Sequence, residues 1–527
     1  MYNGIWNDGY GDNSDSITDF TSTLEKMGYI VQEGRLQYLD VLKLCSLGLI
    51  EDCFGNHAGA PYASYMLPPA PNQVPAKGQR PPKGFDPANP HNYPPNINYL
   101  GPGTYFKLRP DEAIVMIGKT PPPAYYFGYR SYIGFAQNKP EKDYRDYITV
   151  GNEETGKYHR LFNSLGDQVN NVNIWTENTQ EGTYGNPYSS STIIITTADM
   201  NINNQMRDAL KAAGFSTSIM NNDNIPVGMA NMGLEKGKDH FNFVMRAILF
   251  ADPTVGKEYL TNLSDYVKVF RITPINPVTQ LHPWPIPELK RRETNTTEFE
   301  ILPNARNEMT HLRNEIIKKY GSKEYDIVDL ETELWIIDGF VATVMDYDTI
   351  GDNRDAAYLR SETYQLTSDD DFVILYGVNH EQTGKAIINN ASFYGDELFN
   401  GVAVAQISAQ FENSAVEYFP GGYENGKFYY VCKFSRKEDG ESITVPYSTG
   451  NPDGKAYGVD NNKDVFIGYR LYVDKEALIG PAHMDVIWDR AILFTKKKDN
   501  DTLKGKNERK DQSHQISVKI GSNEKVL

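Results

Sequence analysis

Two residues near the middle of the chain have side chains suited to moving a proton. His380 lies in GVNHEQTGK, directly after an apolar run of strand character, so a loop at the rim of a sheet is expected to carry it. A histidine in such a loop can act as a general base or as a metal ligand. Lys385 can bind an anionic substrate through its ammonium group. The alternative is a hydrogen-bonded structural histidine beside a solvated lysine. We take His380 and Lys385 as the candidate catalytic residues.

An arginine and a tyrosine in an aromatic segment are candidates for ligand binding. The segment GKTPPPAYYFGYRSY places Arg130 and Tyr132 on one face of an alternating strand. An arginine among tyrosine hydroxyls can bind a carboxylate or stack on an aromatic ligand. The alternative is cross-strand packing with a cation–π contact. We assign Arg130 and Tyr132 to substrate binding.

A dense polar cluster, GDNRDAAYLRS, supplies two further arginines. Arg354 and Arg360 can face a pocket and hold a carboxylate, because a guanidinium binds this group through two parallel hydrogen bonds. They can equally form internal ion pairs with Asp352 and Asp355 that lock a turn. Arg354 and Arg360 complete the predicted substrate-binding set.

Motifs for nucleotide, zinc and serine-hydrolase chemistry are absent from the sequence. It contains no GxSxG, P-loop, HExxH, paired CxxC or GxGxxG pattern. A metal site built from His57, His380 and Asp199 is conceivable, but the nine histidines lack the short spacing that is typical of metal ligands. We therefore predict neither a metal nor a cofactor.

Charge and hydropathy limit the partners. With 52 basic and 69 acidic residues the formal charge is −17, which disfavours nucleic acid and anionic membrane surfaces. No apolar run is long enough for a membrane span. The first residues do not resemble a signal peptide, so the expected compartment is the cytoplasm, or the outside with a leader removed. The sequence is compatible with a small-molecule ligand and with a homo-oligomer.

The three cysteines do not form a disulfide framework. Cys45 and Cys53 are close enough in sequence for a local bridge, while Cys432 lies in a strand-like segment. Because the count is odd, the interpretation favours buried or free thiols.

A strand followed by a polar loop occurs three times, and this suggests duplication. The copies begin at Asp111, Ser190 and Asp370, and their loops carry Lys119, Asp199 and His380. Two copies follow Gly-Asp-rich segments, at 165–176 and 350–361. The pattern predicts related β modules with polar loops at one rim.

These patterns predict a β-dominated α+β protein with two related antiparallel, jelly-roll-like β-sandwich domains. Residues 1–102 form a helical and proline-rich segment, with helices in SITDFTSTLEKMG and GRLQYLDVLKLCSLGLIEDCFG. Its Pro-rich arm, 61–103, is expected to pack on the body through its aromatic residues, a PxxP ligand being the alternative.

The predicted domains comprise residues 103–284 and 285–527. Helical insertions are expected in NNQMRDALKAAGF and DHFNFVMRAILFAD of the first domain, and in ARNEMTHLRNEIIKKYG of the second. Seven strands follow in the second domain. The charged run after residue 496 is expected to be a loop or tail, and QISVKI one more strand.

Residues 350–377 resemble a segment of bacterial proteins built from tandem jelly-roll-like β-sandwiches, in families of unassigned function. The residues that carry the likeness are Asn353, Arg354, Asp355 and Tyr358. The resemblance implies a tandem β-sandwich architecture and supplies no activity.

Two functions from different classes follow. One is a small-molecule lyase, isomerase or hydrolase acting on a polar, carboxylated compound, with His380, Arg130 and Arg354 at one cavity. The other is a non-catalytic assembly protein of an extracellular layer, shell or filament. A closed polar pocket favours the first function, and flat intersubunit contacts favour the second.

Overall fold

A computed structural model describes residues 13–71, 73, 104–179, 186–421 and 423–497. It is an α+β structure with mostly antiparallel sheets. The helices of the first half are α1 (Asn13–Lys26), α2 (Val41–Ser46), α3 (Met200–Ala212), α4 (Pro253–Thr261) and α5 (Leu263–Tyr266). Its strands are β1 (Tyr29–Leu39), β2 (Tyr62–Met66), β3 (Ala113–Lys119), β4 (Ala124–Gln137), β5 (Thr149–Asn152), β6 (Gly156–Ser164), β7 (Val169–Asn170), β8 (Ser191–Thr197), β9 (Met220–Asn224), β10 (His240–Phe250) and β11 (Val267–Pro274).

The second half begins after β11. Its helices are α6 (Glu298–Ile301), α7 (Ala305–Tyr320), α8 (Gly339–Met345), α9 (His380–Thr383) and α10 (Ile407–Phe411). Its strands are β12 (Tyr325–Leu330), β13 (Thr332–Leu334), β14 (Ala356–Ser361), β15 (Tyr364–Gln365), β16 (Phe372–Val378), β17 (Ile388–Gly395), β18 (Asn400–Gln406), β19 (Tyr429–Ser435), β20 (Ser442–Thr444), β21 (Asp464–Tyr472) and β22 (Arg490–Lys496).

The first half is one 11-stranded sheet that folds over into two layers. The strand order is β5-β6-β4-β10-β2-β1-β11-β3-β8-β9, with β7 on β4. Strand β1 belongs to both layers, because Tyr29–Gly34 pair with β11 and Arg35–Leu39 pair with β2. At the bend, a Cβ on Gly34 would lie 2.7 Å from the carbonyl oxygen of Met66. Glycine permits this close approach of two backbone segments.

The second half has two separate sheets that pack face to face. A five-stranded sheet has the order β12-β22-β16-β19-β20, and a six-stranded sheet has the order β13-β14-β21-β17-β18 with β15 on β21. The apolar core between them includes Leu375, Phe393, Cys432, Tyr469 and Leu493. Helix α7 covers the outer face of the five-stranded sheet through Met309, Leu312 and Ile316, as α1 and α3 cover the outer layer of the first half.

The strand order of the two halves coincides. In the outer layers, β1-β11-β3-β8-β9 and β12-β22-β16-β19-β20 both contain three antiparallel pairs followed by one parallel pair. In the inner layers, β6-β4-β10-β2-β1 and β18-β17-β21-β14-β13 are antiparallel throughout. The chain visits these positions in the same sequence in each half. The inner layers face one another across a cluster that includes Tyr126, Ile248, Tyr358, Ile388 and Tyr472.

Two predicted helices of the first half were wrong, and the beginning of the Pro-rich arm is a strand. The segment DHFNFVMRAILFAD forms the central strand β10, because both of its faces are buried and such a run reads equally as a buried helix. GRLQYL belongs to β1, and only Val41–Ser46 of that predicted helix is helical. Tyr62–Met66 is a central strand between β1 and β10, since the prolines of this region flank it. Strands β1 and β2 therefore belong to the first sheet.

Other predicted elements were found as expected. Helices α3 and α7 end at the glycines that the sequence indicated, and β16, β17, β19 and β21 match predicted strands. The packing of 74–103, the tail after 497 and the strand at QISVKI lie outside the described residues. Among the described residues, no helix has the length and apolar content needed to span a bilayer.

Candidate functional site

A cavity of about 70 Å³ lies between the inner layers of the two halves, and we call it the central cavity. Its floor is formed by β2 and β10 and its opposite wall by β14 and β21. The connection through α2 closes one side with Leu39, Val41, Leu44, Ile50 and Cys53. Most of this lining is apolar, and two arginines from opposite halves supply the charge.

The first arginine, Arg246, projects from the middle of the first sheet. It lies on β10 opposite Tyr62 on β2, and its residue is 5% exposed. Its Nη2 donates to the Tyr132 hydroxyl at 2.8 Å and to the Gly351 carbonyl at 3.3 Å. A guanidinium has five N–H donors, so three have no hydrogen-bond partner among the described residues. The Tyr62 ring lies 5.7 Å from the guanidinium carbon.

The second arginine, Arg470, occupies the corresponding place in the second half. It lies on β21 opposite Tyr358 on β14, and its residue is 3% exposed. It donates to the Tyr394 hydroxyl and to the Gly55 carbonyl, which again leaves three N–H donors. Its guanidinium carbon lies 5.5 Å from the Tyr358 ring.

The two arginines bind the loops of the opposite half in the same way. Tyr132, which accepts from Arg246, donates to the backbone carbonyl of Asp352 at 2.8 Å. Tyr394, which accepts from Arg470, donates to the backbone carbonyl of Asn56 at 2.9 Å. Each half therefore contributes an arginine and a tyrosine that hold the other half's Gly-Asn or Gly-Asp loop.

These loops share a backbone conformation. Phe54 and Gly55 have φ values of 55° and 55°, and Ile350 and Gly351 have φ values of 50° and 85°. In both loops an aspartate carboxylate, from Asp52 or from Asp348, accepts from the N–H two residues later, at 2.9 and 2.8 Å. One side chain, Arg160, then binds both aspartates. A left-handed conformation at a non-glycine residue is costly, so two matching cases at one cavity mark a constrained site.

Neither cavity arginine has a carboxylate partner among the described residues. Every ion pair of that part of the chain involves other cations. The Trp335 ring lies 5.0 Å from the guanidinium carbon of Arg470. Tyrosines lie close to both guanidiniums, and burial raises the pKa of Tyr358 and Tyr472 above the usual value. These hydroxyls stay neutral at pH 7. Burial and the two arginines lower the pKa of His57 well below 6.5, so His57 is neutral too. The site carries uncompensated positive charge.

Three polar atoms along the floor of the cavity lack a hydrogen-bond partner in the described part of the protein. They are Ser64 Oγ, Thr104 Oγ1 and Asn242 Oδ1. The residues are 1%, 3% and 5% exposed. Burial of a polar atom without a hydrogen-bond partner lowers the stability of the folded protein by about 1–3 kcal/mol. We therefore expect water or a ligand to bind these atoms.

The connection over the cavity is cross-linked. Cys45 and Cys53 form a disulfide with a Cα–Cα distance of 5.4 Å, which corrects the interpretation as free thiols. An odd count excludes only complete pairing, and the short spacing here brings the two cysteines together. The bridge joins α2 to the loop that ends at Phe54, and Cys53 itself lines the cavity. Cys432 is a buried free thiol in the second half.

A buried carboxyl group lies beside the interface of the two halves. Asp355 is 0% exposed, and its Oδ2 accepts from the Tyr126 hydroxyl and from Asn170 Nδ2, both at 2.8 Å. Its Oδ1 has no partner in the described residues. Burial raises the pKa of Asp355 from 3.8 to about 6, because the hydrogen bonds only partly offset the loss of water.

The predicted general base is a buried cation. His380 Nδ1 lies 2.7 Å from Glu298 and Nε2 lies 3.3 Å from Asp489, and all three side chains are 0% exposed. Burial opposes protonation, but the two carboxylates outweigh it and raise the pKa of His380 to about 10. The expectation of a neutral proton acceptor is therefore wrong, since the sequence does not reveal two carboxylates from distant segments.

The predicted partner of His380 is also engaged in an ion pair. Lys385 Nζ lies 3.0 Å from Asp474 and is 4% exposed. Arg360, at the surface, binds Glu333 at 2.8 Å.

Two of the predicted arginines are also held by ion pairs. Arg130 binds Asp223 at 2.9 Å, and Arg354 binds Asp167 at 2.7 Å. These ion pairs fix the two arginines in place. Tyr132 is the predicted substrate-binding residue that contacts a cavity arginine.

Sequence reasoning missed Arg246 and Arg470. Arg246 lies in the segment interpreted as a helix, although Asn242, Val244, Arg246 and Ile248 alternate with apolar residues at the period of a strand. Arg470 lies in a predicted strand, and the segment IGYRLY repeats the pattern of FGYRSY around Arg130. That repetition was the available signal.

The metal site that the sequence raised is not formed. His57 is buried near the two cavity arginines, His380 is bound to carboxylates, and Asp199 caps α3 by accepting from two backbone N–H groups. Within the described ranges no group of three or more His, Cys, Asp or Glu side chains has metal-site geometry.

Comparison with known proteins gives little. No protein-family model matches the chain, and no curated protein matches it. A solved structure of an uncharacterised protein from Burkholderia cenocepacia aligns over 90% of this chain and 96% of its own, with 10% identity and a TM-score of 0.30. A TM-score at this level does not establish a shared fold.

Proposed function

We propose that this protein binds a small carboxylated compound in the central cavity, between Arg246 and Arg470. The observation that carries the proposal is the pair of buried guanidiniums without a carboxylate partner in the described chain. Each retains three N–H donors. A planar carboxylate fits such donors through paired hydrogen bonds.

Electrostatics supports an anionic ligand over an empty cavity. Burying an ion without a partner costs several kcal/mol, and two cations at one cavity also repel each other. Contacts with the rings of Tyr62 and Tyr358 offset about 0.5–2 kcal/mol for each arginine. A bound carboxylate neutralises part of the remaining charge.

The same cavity is the proposed place for the lyase, isomerase or hydrolase activity. His57 is near both arginines, and the tyrosine hydroxyls are protonated at pH 7. Arg246 and Arg470 would orient the carboxylate, and Tyr132 would fix the position of Arg246. Reaction chemistry beyond binding is a separate claim, which needs turnover of an identified substrate.

We also propose that the two halves are related β-sandwich domains of a tandem duplication. The shared strand order supports this, together with the matching sets Arg246–Tyr62–Tyr132 and Arg470–Tyr358–Tyr394. In this alignment the counterpart of Gly351–Tyr358 is Gly55–Tyr62, whereas the sequence pattern suggested a segment near residue 166. The strands that begin near Asp111 and Asp370 take equivalent positions, and the strand near Ser190 pairs with the former.

One surface feature supports the alternative function, that of a non-catalytic assembly protein. Exposed apolar side chains cluster on and around α8, and they are Leu334, Ile337, Val341, Val344, Met345 and Tyr347. Patches of this kind mark contacts with other proteins. Light scattering of the full chain and of Val344→Asp distinguishes the two states: an assembly that Val344→Asp dissociates supports the alternative, and a monomer in both removes it.

Calorimetric titration of the full chain with sodium butanoate, at constant ionic strength, tests the proposed function. We expect binding to the wild-type protein and to Arg145→Met, whose side chain is 87% exposed. The double variant Arg246→Met, Arg470→Met should not bind. It loses hydrogen bonds worth about 1 kcal/mol each, but it also loses two uncompensated charges. Its thermal midpoint should therefore stay close to that of the wild type. A failure of the wild-type protein to bind butanoate, propanoate or acetate overturns the proposal.

A further inference from the structure

The central cavity is polar at both ends of its floor. Asn242, Val244 and Arg246 follow one another on the same face of β10, and all three line the cavity. At about 3.3 Å per residue, Asn242 and Arg246 are roughly 13 Å apart along the strand. Arg246 forms the cationic end, and Asn242 forms the opposite end.

The cavity-lining side chains around Asn242 are uncharged, while the ion-paired cluster of Arg160, Asp52 and Asp348 lies close to Tyr105. Phe106 pairs with Phe241, and this places Thr104 and Tyr105 beside Asn242. Ser64 lies opposite Val244, between the two ends. The unpartnered atoms Asn242 Oδ1 and Thr104 Oγ1 are at this end of the floor, and the unpartnered Ser64 Oγ is between the two ends.

We infer that the ligand is a short acid whose opposite end bears a neutral hydrogen-bond donor, such as a hydroxyl group. This inference rests on the proposed function, because the carboxylate position is set by Arg246 and Arg470. The Asn242 oxygen can only accept, so it requires a donor. A hydroxyl group satisfies it and can also pair with Ser64 or Thr104.

Charge and size narrow the compound further. A second carboxylate would meet the uncharged groups of Ser64, Thr104 and Asn242, which do not offset the loss of its hydration. An ammonium group would be equally unpaired. At about 10–15 Å³ per water-sized volume, the cavity of about 70 Å³ holds roughly five to seven non-hydrogen atoms. The apolar residues Val41 and Leu44 suit the methylene groups between the two ends.

Three compounds of similar length, titrated into the full chain, test the inference. They are 4-hydroxybutanoate, butanoate and succinate. One or two added hydrogen bonds of about 1 kcal/mol each predict that 4-hydroxybutanoate binds about 5- to 30-fold more tightly than butanoate. Succinate should bind more weakly than butanoate. Butane-1,4-diol should not bind, because it lacks the carboxylate.

Two near-isosteric variants locate the effect. Asn242→Leu should abolish the preference for 4-hydroxybutanoate over butanoate, because it removes the accepting oxygen. If Asn242→Leu does not fold, the affinities of Thr104→Val for the two acids test the same point, and its preference for 4-hydroxybutanoate should be reduced by a smaller factor. Equal affinity of the wild-type protein for butanoate and 4-hydroxybutanoate overturns this inference alone. Absence of binding by both acids overturns the proposed function instead.

Discussion

Replacement of Asp355 by asparagine should make the protein more stable at neutral pH and should remove part of its pH dependence. Asp355 is fully buried, and burial raises its pKa from 3.8 to about 6. An asparagine oxygen can keep the hydrogen bonds from Tyr126 and Asn170. Its amide group would take the place of Oδ1, which lacks a partner in the described chain.

The direction of the effect follows from proton binding. Between pH 4 and 6 the folded state holds a proton on Asp355 that the unfolded state has already lost. Stability therefore falls as the pH rises through this range, and the loss persists above pH 6. A shift of about 2 units at about 1.4 kcal/mol per unit gives about 3 kcal/mol. The asparagine variant has no titrating carboxyl group here and therefore lacks this loss of stability.

Thermal unfolding of both proteins at pH 4 and pH 7 measures the difference. A change of 1 kcal/mol moves the midpoint by about 2–4 °C for a cooperative unit of about 200 residues. The advantage of Asp355→Asn should therefore grow by about 6–12 °C from pH 4 to pH 7. Asp146→Asn, at an exposed position, should show no such change. An equal difference between variant and wild type at the two pH values would refute the raised pKa.

Three further predictions concern the framework around the cavity. Gly34→Ala should destabilise the first half by about 1–3 kcal/mol, because its Cβ would lie 2.7 Å from the Met66 carbonyl. Denaturant unfolding measures this against Gly421→Ala, where nothing lies within 4 Å, and an equal effect of the two would contradict it. His380→Gln should cost about 3–5 kcal/mol at pH 7, since it leaves Glu298 and Asp489 without their cation. The protonated histidine contributes this stability fully below pH 6.5, and the contribution is lost as the pH rises through about 10. A loss of stability of the same size in His282→Gln would argue against the ion pair. So would a loss of stability in His380→Gln that persists at pH 11. Cys45→Ser with Cys53→Ser should lower the free energy of unfolding by about 2–3 kcal/mol, and a reductant that changes the wild-type midpoint but not that of the variant would support the bridge.

The sequence was a good guide to the fold where turn signals and periodicity agreed. Helices α3 and α7 end at glycines, and β16 begins after an acidic turn, so each could be predicted from local residues. Strand β10 was missed although Asn242 and Arg246 lie at the spacing of one strand face, because most of its residues are apolar and such a run reads equally as a buried helix. This single misinterpretation hid Arg246 and with it half of the candidate site.

The predicted site failed for a different reason. Arg130, Arg354, Lys385 and His380 were chosen because their residue types suit chemistry. Each instead has a carboxylate partner from a distant part of the chain. Local sequence does not reveal such partners. The arginines that lack them are visible only after the two inner layers meet.

Crystal structure determination of the full chain in the presence of butanoate tests the central claim most directly. We expect density for a carboxylate in the central cavity, with its oxygens about 2.7–3.2 Å from nitrogens of Arg246 and Arg470. Butanoate bound elsewhere, or an empty cavity in which both arginines form ion pairs with carboxylates of the protein, would contradict the proposed function.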